Sequence, residues 1–214
     1  MSATRRSVLG AALAGPMLAQ FMGTASAAAE DKWGTVSDGW VEVRWTEQAQ
    51  AEMDRLGAVV EAVAPAQLVK DSRGAAIRFP VRSGKGDPSL KRLSNAKGDG
   101  ALEGGIAVRT PTSNFQITDL QSVLRDEWAS GKATVNGFEV GHSKMFRWDV
   151  DKSKLSTESV PAGRPLKVRL SEVPLHPTPE LLETYSASFG PPAFTPDTVV
   201  AYLTAEGVYT PPNH

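Results

Sequence analysis

The sequence feature that most constrains the fold is an alternation of apolar and polar residues between Gly100 and Trp148. A period of two places successive side chains on opposite faces of a strand, so one face enters a core while the other meets solvent. Turn-forming residues separate the alternating segments, notably Ser130-Gly131 and Asn136-Gly137. The residues predicted to face the core are Ile106, Val108, Phe115, Ile117, Leu120, Ala133, Val135 and Met145, with either Phe146 or Trp148 as a further candidate. The stretch therefore predicts a meander of antiparallel strands.

The rest of the chain adds further strands and two short helices. Thr46 is placed to cap a helix that ends at Gly57, and Thr178 precedes Pro179 at the start of a second helix. Alternating or β-rich runs predict strands at 40–46, 59–63, 76–81, 166–170 and 198–203. We predict a mainly β fold, an antiparallel β-sandwich or meander with one or two short α-helices, as a single domain over residues 40–210. Residues 28–39 are interpreted as an N-terminal tail.

Two strand segments resemble each other. Val41–Glu47 and Leu166–Glu172 share their alternation, an arginine at the same place, and a hydroxyl residue followed by glutamate. A helix-forming segment follows each of them. The likeness indicates either a strand–helix repeat that brackets the meander or a coincidence between two short amphipathic strands.

The first 27 residues have the pattern of an export signal. Arg5 and Arg6 precede a weakly apolar run over residues 8–22, and Ala25-Ser26-Ala27 supplies the small residues that a signal peptidase requires. The run is too short to span a membrane as a helix. We predict a twin-arginine signal cleaved after Ala27 and a secreted or cell-surface product; the alternative is a Sec signal that carries two arginines.

Charge and cysteine content exclude several functional classes. Removal of Arg5 and Arg6 leaves 21 basic against 24 acidic residues, so the net charge changes from −1 to −3. The charges are mixed along the chain, which does not indicate a nucleic-acid partner. The chain has no cysteine, which excludes thiolate catalysis, disulfides and cysteine-based metal sites. Abundant alanine and glycine are typical of a high-GC bacterium such as an actinomycete.

Candidate catalytic residues are few. His142, Asp149 and Asp151 lie close in sequence and could supply acid–base chemistry beside the long polar loop at 83–100. The sequence has no Gly-x-Ser-x-Gly elbow, no His-Glu-x-x-His pair and no complete EF-hand loop. We predict no metal and no cofactor, and a cofactor-free secreted enzyme is one open hypothesis.

Tryptophan supplies the other candidate site. The chain has five tryptophans, and two of them follow an arginine, in Arg44-Trp45 and Arg147-Trp148. On an exposed face such pairs would stack on a sugar ring or another flat ligand, whereas in a core they would only fill space. The favoured hypothesis is an exported, non-enzymatic binding module for a small molecule or a glycan. The sequence leaves the ligand, the partner and the oligomeric state open.

Several segments carry a family resemblance. The segments Ile77–Val81, Gly100–Ile106, Ile117–Leu120 and Ala133–Gly137 resemble those of β-rich secreted proteins of actinomycetes. The middle segment is also similar to the domain of HtaA-type surface haem-uptake proteins. The resemblance implies a β-rich exported domain and makes haem binding a further hypothesis. Haem binding in that family uses a tyrosine aided by a histidine, and neither occupies a matching position in this chain.

Overall fold

The structure is a computed structural model that describes residues 33–86, 98–123, 127–148, 154–159, 161 and 163–212. Its two helices are α1 (Glu47–Arg55) and α2 (Pro179–Phe189). The first six strands are β1 (Gly34–Trp45), β2 (Val59–Val63), β3 (Gln67–Asp71), β4 (Gly74–Gly86), β5 (Gly98–Leu102) and β6 (Gly105–Arg109). The remaining six are β7 (Asn114–Val123), β8 (Trp128–Val135), β9 (Phe138–Trp148), β10 (Leu155–Thr157), β11 (Leu166–Pro177) and β12 (Ala201–Thr210). The prediction of a mainly β fold with two short helices is confirmed.

The strands form one antiparallel sheet that closes on itself. The order β7-β5-β4-β1-β12-β11-β9-β8 returns to β7, because β8 pairs with β7 as well as with β9. This is an eight-stranded barrel, so the prediction of a sandwich or open meander is wrong at this level. Closure satisfies edge hydrogen bonds that an open meander would leave exposed. The shorter strands β3, β6 and β10 pair with members of this ring, and β2 pairs with β6.

Local irregularities bend the strands and change which residues face inward. Asp119 has φ of 49° where the β7–β8 register shifts, and Glu172 has φ of 53° where the β11–β12 register shifts. One extra residue reverses the alternation beyond it. This is why Leu120 is buried along with Ile117, although the two are three positions apart.

Both helices continue from a strand at the same end of the barrel. The side-chain oxygen of Thr46 accepts a hydrogen bond from Ala49 N, and that of Thr178 accepts one from Leu181 N, as both caps were predicted. Val200 links the segments that precede the two helices. Its carbonyl oxygen accepts a hydrogen bond from Thr46 N, and its own N–H donates to the carbonyl oxygen of Leu175. Helices α1 and α2 therefore lie together over one end of the barrel.

The N-terminal boundary differs from the sequence prediction. Strand β1 begins at Gly34, six residues before the predicted start at Trp40, because its first residues pair with both β4 and β12. The predicted signal peptide and residues 28–32 lie outside the described residues. No helix in the part of the chain that the structure describes has both the length and the apolar composition to cross a membrane.

Candidate ligand-binding site

The interior of the barrel contains connected apolar space. A central cavity of about 130 Å³ adjoins an end cavity of about 190 Å³. An eight-stranded barrel is just wide enough to be filled by side chains or to hold one small ligand. The two cavities share a band of lining residues, so they lie next to each other in the barrel, and together they are here called the lumen. The shared residues are Val41, Leu102, Ser122, Leu170 and Ala205.

Several apolar side chains that line the lumen are not fully buried. Val41, Leu102, Leu170, Leu203 and Ala205 line it, yet each is only half-buried. In a filled core such inward apolar residues would lose nearly all contact with solvent. Burial of apolar surface stabilises a protein by roughly 25 cal/mol per Å². An apolar ligand in the lumen would cover the apolar surface that the empty barrel leaves in contact with water, and this burial would favour binding.

A third cavity of about 100 Å³ lies beneath the two helices. Its walls come from α1, α2 and the β6–β7 hairpin and include Met53, Phe115 and Leu181. Only Ile106 and Phe146 line both this helix-side cavity and the central cavity. These two side chains therefore form a partition between the helix-side cavity and the lumen.

A buried polar cluster joins the helices above the helix-side cavity. The Tyr185 hydroxyl donates to Oε1 of Glu52 at 3.3 Å, and Arg55 Nε donates to the same carboxylate at 2.7 Å. The hydrogen bond from Arg55 lowers the pKa of Glu52 below its ordinary value, against the opposing effect of burial. Burial, and then the negative charge of Glu52, raises the pKa of Tyr185. The cluster keeps Glu52 ionised and Tyr185 neutral, and it links α1 to α2.

The structure divides the predicted arginine–tryptophan pairs between two faces. Trp45 lines the helix-side cavity and Trp148 the central cavity. Arg44 points outward, where its guanidinium binds Asp71 at 2.9 Å, and Arg147 is exposed with Asp197 3.9 Å away. Successive residues of a strand alternate between faces, so each arginine and its neighbouring tryptophan diverge.

Two indole nitrogens in the interior lack partners. Within the described residues, Nε1 of Trp45 and Nε1 of Trp148 are buried and have no hydrogen-bond acceptor. A buried donor left in this state costs roughly 1–3 kcal/mol. Both tryptophans therefore combine a large apolar surface with an unused polar group.

Of the three predicted catalytic residues, His142 lies within the described structure. His142 lies on β9, exposed, on an outer groove between the β8–β9 hairpin and α2 that also includes Glu180 and Glu183. Asp149 and Asp151 lie outside the described residues. Among the residues that are described, no three His, Asp or Glu side chains are grouped so as to hold a metal ion.

Sequence reasoning missed most of the lumen. Its walls depend on small inward residues, such as Ala129 and Ala205, that leave space where a larger side chain would fill the barrel. The signal was present as alanines at inward-facing positions of β8 and β12. It could not be interpreted without knowing that the sheet closes, because the same alanines would pack well in a flat sheet.

The fold and its apolar interior define the class: a small antiparallel barrel with two helices over one end and an unfilled lumen. The C-terminal domain of HtaA from Corynebacterium glutamicum has a similar structure, with a TM-score of 0.51 at 12% identity. The alignment covers 82% of this chain and 99% of that domain. The resemblance to HtaA-type domains that the middle segment indicated is thereby confirmed at the level of the fold.

Other comparisons add little. The heme binding protein HtaB from Corynebacterium glutamicum aligns over 83% of this chain and 94% of its own, with a TM-score of 0.31 at 7% identity, too loose a superposition to argue from. No protein-family model matches the chain, and no curated protein matches it.

Proposed function

We propose that the protein is a non-enzymatic binding module that takes a small, mainly apolar molecule into the lumen of its barrel. The observation that carries the proposal is the apolar lining of two adjacent cavities, several of whose side chains remain partly exposed. A concave site with mostly apolar walls and a few polar groups is typical of small-molecule binding sites.

The same lining argues against a glycan as the ligand. Glycan recognition needs polar partners for many hydroxyl groups, together with an exposed aromatic face. The lumen instead offers hydrocarbon walls, and Trp45 and Trp148 point into the interior rather than onto a surface. A small apolar molecule fits this chemistry better than a sugar ring.

Fluorescence of N-phenyl-1-naphthylamine, an uncharged apolar probe, tests the proposal. Binding in the lumen should enhance its emission saturably and raise the melting temperature of the protein, because a ligand of the native state stabilises it. An Ala205→Phe substitution places a ring in the lumen, so it should abolish the enhancement while raising the stability of the ligand-free protein by filling space.

The matched control places the same ring on the other face of β12. Thr204→Phe adds it at the adjacent outward position and should leave probe binding unchanged. Circular dichroism of both variants checks that each is folded. Equal probe binding by wild type and a folded Ala205→Phe variant would overturn the proposal.

We further propose that the protein acts outside the cytoplasm. Arg5, Arg6 and the small residues ending at Ala27 support export of a folded domain through the twin-arginine route. N-terminal sequencing of the protein from the outside of the cell should find Ala28 as the first residue. Lysine at both arginine positions should retain the protein in the cytoplasm, and continued export would exclude the twin-arginine route.

Haem binding is the second candidate, favoured by the similarity in fold to the HtaA domain. The three interior cavities, of about 100 to 190 Å³, are small beside the 300 Å³ or more of pockets for drug-sized ligands, whereas the outer groove beside His142 measures about 510 Å³. Tyr185 lines the helix-side cavity, but its hydroxyl is bound to Glu52 and its raised pKa opposes the tyrosinate form that would bind iron. A hemin titration with a saturable Soret band, lost in Tyr185→Phe, would favour this candidate over the first.

A further inference from the structure

A groove separates the tip of the β8–β9 hairpin from α2 on the outer surface of the molecule. Its volume is about 510 Å³, within the range of about 300–1,000 Å³ that is usual for ligand sites. One wall is a stripe along α2 that consists of Glu180, Glu183, Thr184 and Ala187. Residues at spacings of three, four and seven lie on one side of a helix, and here the buried Leu181 and Tyr185 lie on the other.

The opposite wall belongs to the hairpin and is mainly apolar. Its apolar side chains include Val135 of β8 and Val140 of β9. Phe138 is paired with Val135, and cross-strand neighbours share a face of the sheet, so Phe138 lies on the same side of the hairpin as the groove. Phe138 is 78% exposed and Val140 is 56% exposed. Large apolar side chains exposed together beside a groove are typical of a surface that another molecule covers.

Strand β9 also has an unpaired edge at this groove. It pairs with β8 along its length but with β11 only over residues 146–148, so residues 138–143 have no second neighbour among the described strands. On the β11 side the carbonyl oxygen of Lys144 accepts from the Thr178 hydroxyl, and the β8–β9 register is regular from Lys144 back to His142. Alternate residues of a strand direct their backbone groups to the same edge. The N–H and C=O groups of His142 therefore point away from β8 and are open to a further strand.

A strand edge without a partner, beside a helix, is a site at which an extended peptide can add to a sheet. We propose that the groove binds an extended segment of another protein, which pairs with β9 over residues 138–143 and carries basic side chains at alternating positions. This interaction surface is separate from the lumen and goes beyond the proposed function.

The two carboxylates of α2 determine the charge and the spacing. Glu180 and Glu183 are exposed, and no Lys or Arg among the described residues forms a salt bridge with either of them. Side chains three apart on a helix have Cβ atoms about 5–6 Å from each other. Alternate residues of a strand are about 6.6 Å apart and point to one face. Basic residues at positions i and i+2 of the added strand can therefore each meet one carboxylate.

The first test compares two fluorescein-labelled peptides by fluorescence anisotropy. Both consist of threonine, valine and two arginines in identical amounts, and both have blocked ends. In the first peptide one threonine separates the arginines, so they share a face when the peptide is extended. In the second the arginines are adjacent and face opposite sides. The first should bind more tightly, and equal affinity, or no binding of either peptide, would overturn the inference.

N-methylation of the first peptide tests the pairing with β9. In an added strand the backbone groups of alternate residues face β9, and those of the intervening residues face solvent. Methyl groups on one alternate set of amides should abolish binding, whereas methyl groups on the other set should leave the affinity largely unchanged. Equal effects of the two sets would exclude addition as a strand.

Substitutions in α2 test the role of charge. Glu180→Gln and Glu183→Gln should each weaken binding of the first peptide by about two- to fivefold, as loss of an exposed ion pair does. Glu47→Gln is the matched control, because Glu47 lies in the first turn of α1 as Glu180 does in α2. It should leave the affinity unchanged. Equal losses for all three variants would reduce the interaction to general attraction by a negatively charged protein, and the site would be overturned.

Sedimentation velocity distinguishes another protein from a second copy of this chain. Without peptide the wild-type protein should sediment as a monomer. A dimer that the first peptide dissociates would assign the edge of β9 to a second copy and overturn the proposed partner. Each of these failures leaves the proposed function standing, because binding of the naphthylamine probe in the lumen does not involve the groove.

Discussion

At the scale of single residues, the outer face of the barrel contains an ionic cluster around Glu42. Its carboxylate binds Arg44 and Arg78, each at 2.8 Å, although Glu42 is only 6% exposed. Arg78 also lies 4.5 Å above the ring centre of Trp40, a cation–π contact on the barrel surface. Burial raises the pKa of Glu42, but the hydrogen bonds from Arg78 and Arg44 outweigh it, and the net pKa is below its ordinary value.

Neutralising Glu42 should destabilise the protein clearly. A Glu42→Gln substitution weakens two charge-assisted hydrogen bonds and leaves Arg44 with less compensation, so we expect a loss of about 2 kcal/mol in the free energy of unfolding. Urea denaturation of both proteins at neutral pH measures the difference.

Glu206→Gln is the matched control for this substitution. It breaks the ion pair with Arg169, whose side chain is 50% exposed, so the loss should stay below about 1 kcal/mol. Equal losses for the two variants would show that burial of Glu42 does not strengthen its cluster.

The separation of the arginine–tryptophan pairs also belongs to this scale. Adjacency in sequence suggested a joint stacking site, but adjacent residues of a strand face opposite sides, and Trp148 is inside while Arg147 is outside. The alternation itself contained this information. The sequence did not reveal what surrounds Trp148 in the interior, since that depends on residues more than 20 positions away, such as Leu170 and Ala205.

At the scale of elements, the helix caps join the helices to the barrel. The Thr178 hydroxyl accepts from Leu181 N and donates to the carbonyl of Lys144 at 2.7 Å. Removing it in Thr178→Ala should cost about 1–2 kcal/mol of unfolding free energy, because an N-cap and a buried carbonyl both lose their partner. Thr178→Ser keeps the hydroxyl and should cost much less. If the two variants were equally unstable, the lost methyl rather than the cap would be the cause.

A second prediction concerns the Glu103-Gly104 link between β5 and β6. Gly104 has φ of 86°, and a Cβ there would clash with the carbonyl oxygen of Val63 and lie 2.6 Å from Ala66 N. Gly104→Ala should therefore cost about 2–4 kcal/mol in denaturant unfolding, from backbone strain and overpacking together. Gly137 has nearly the same φ, 84°, with open space around it, so Gly137→Ala should cost only about 1 kcal/mol. Similar losses of stability for the two variants would contradict the close approach of this link to the β2–β3 turn.

The secondary-structure elements are the part of the structure that the sequence predicted best. Both helices, their caps and the turn at Asn136-Gly137 were correct, because capping and turn residues act over a few positions. Strand β3 was missed, since its five residues include three polar ones and none is fully buried. The proposed repeat aligned Glu47 with Glu172, yet Glu47 begins a helix and Glu172 forms a bulge within β11. A strand followed by a helix does occur twice, as β1–α1 and β11–α2, but the residues that the sequence likeness aligned do not occupy equivalent positions in the two units.

At the scale of the whole molecule, closure of the sheet creates the lumen, and closure is what alternation cannot predict. Alternating residues specify an inward face but not the partner of each strand. Strand β7 is ten residues long and pairs with β6 over one half and β5 over the other, while β8 covers its opposite edge. That pairing completes the ring. It depends on contacts between distant parts of the chain, so a flat meander and a barrel have the same local pattern.

The whole molecule should also lose stability in acid, because two buried carboxylates are held ionised in the fold. The pKa values of Glu42 and Glu52 are both below the ordinary value of 4.5. Between the unfolded and folded pKa values the unfolded chain binds more protons, so the free energy of unfolding decreases as pH falls. Stability should therefore be constant from neutral pH to about pH 5 and decline below it, in urea unfolding measured across that range.

The two carboxylates can be separated from the remaining acidic groups by substitution. Glu42→Gln combined with Glu52→Gln removes both titrations, so the double variant should be less stable than wild type at neutral pH. Its decline below pH 5 should be shallower, and the two curves should approach each other in acid. Glu206→Gln, whose carboxylate is paired at the surface, should keep the slope of wild type. Parallel curves for wild type and the double variant would mean that the clusters around Arg44 and Arg55 add nothing to folding, and that the acid sensitivity of the barrel arises elsewhere.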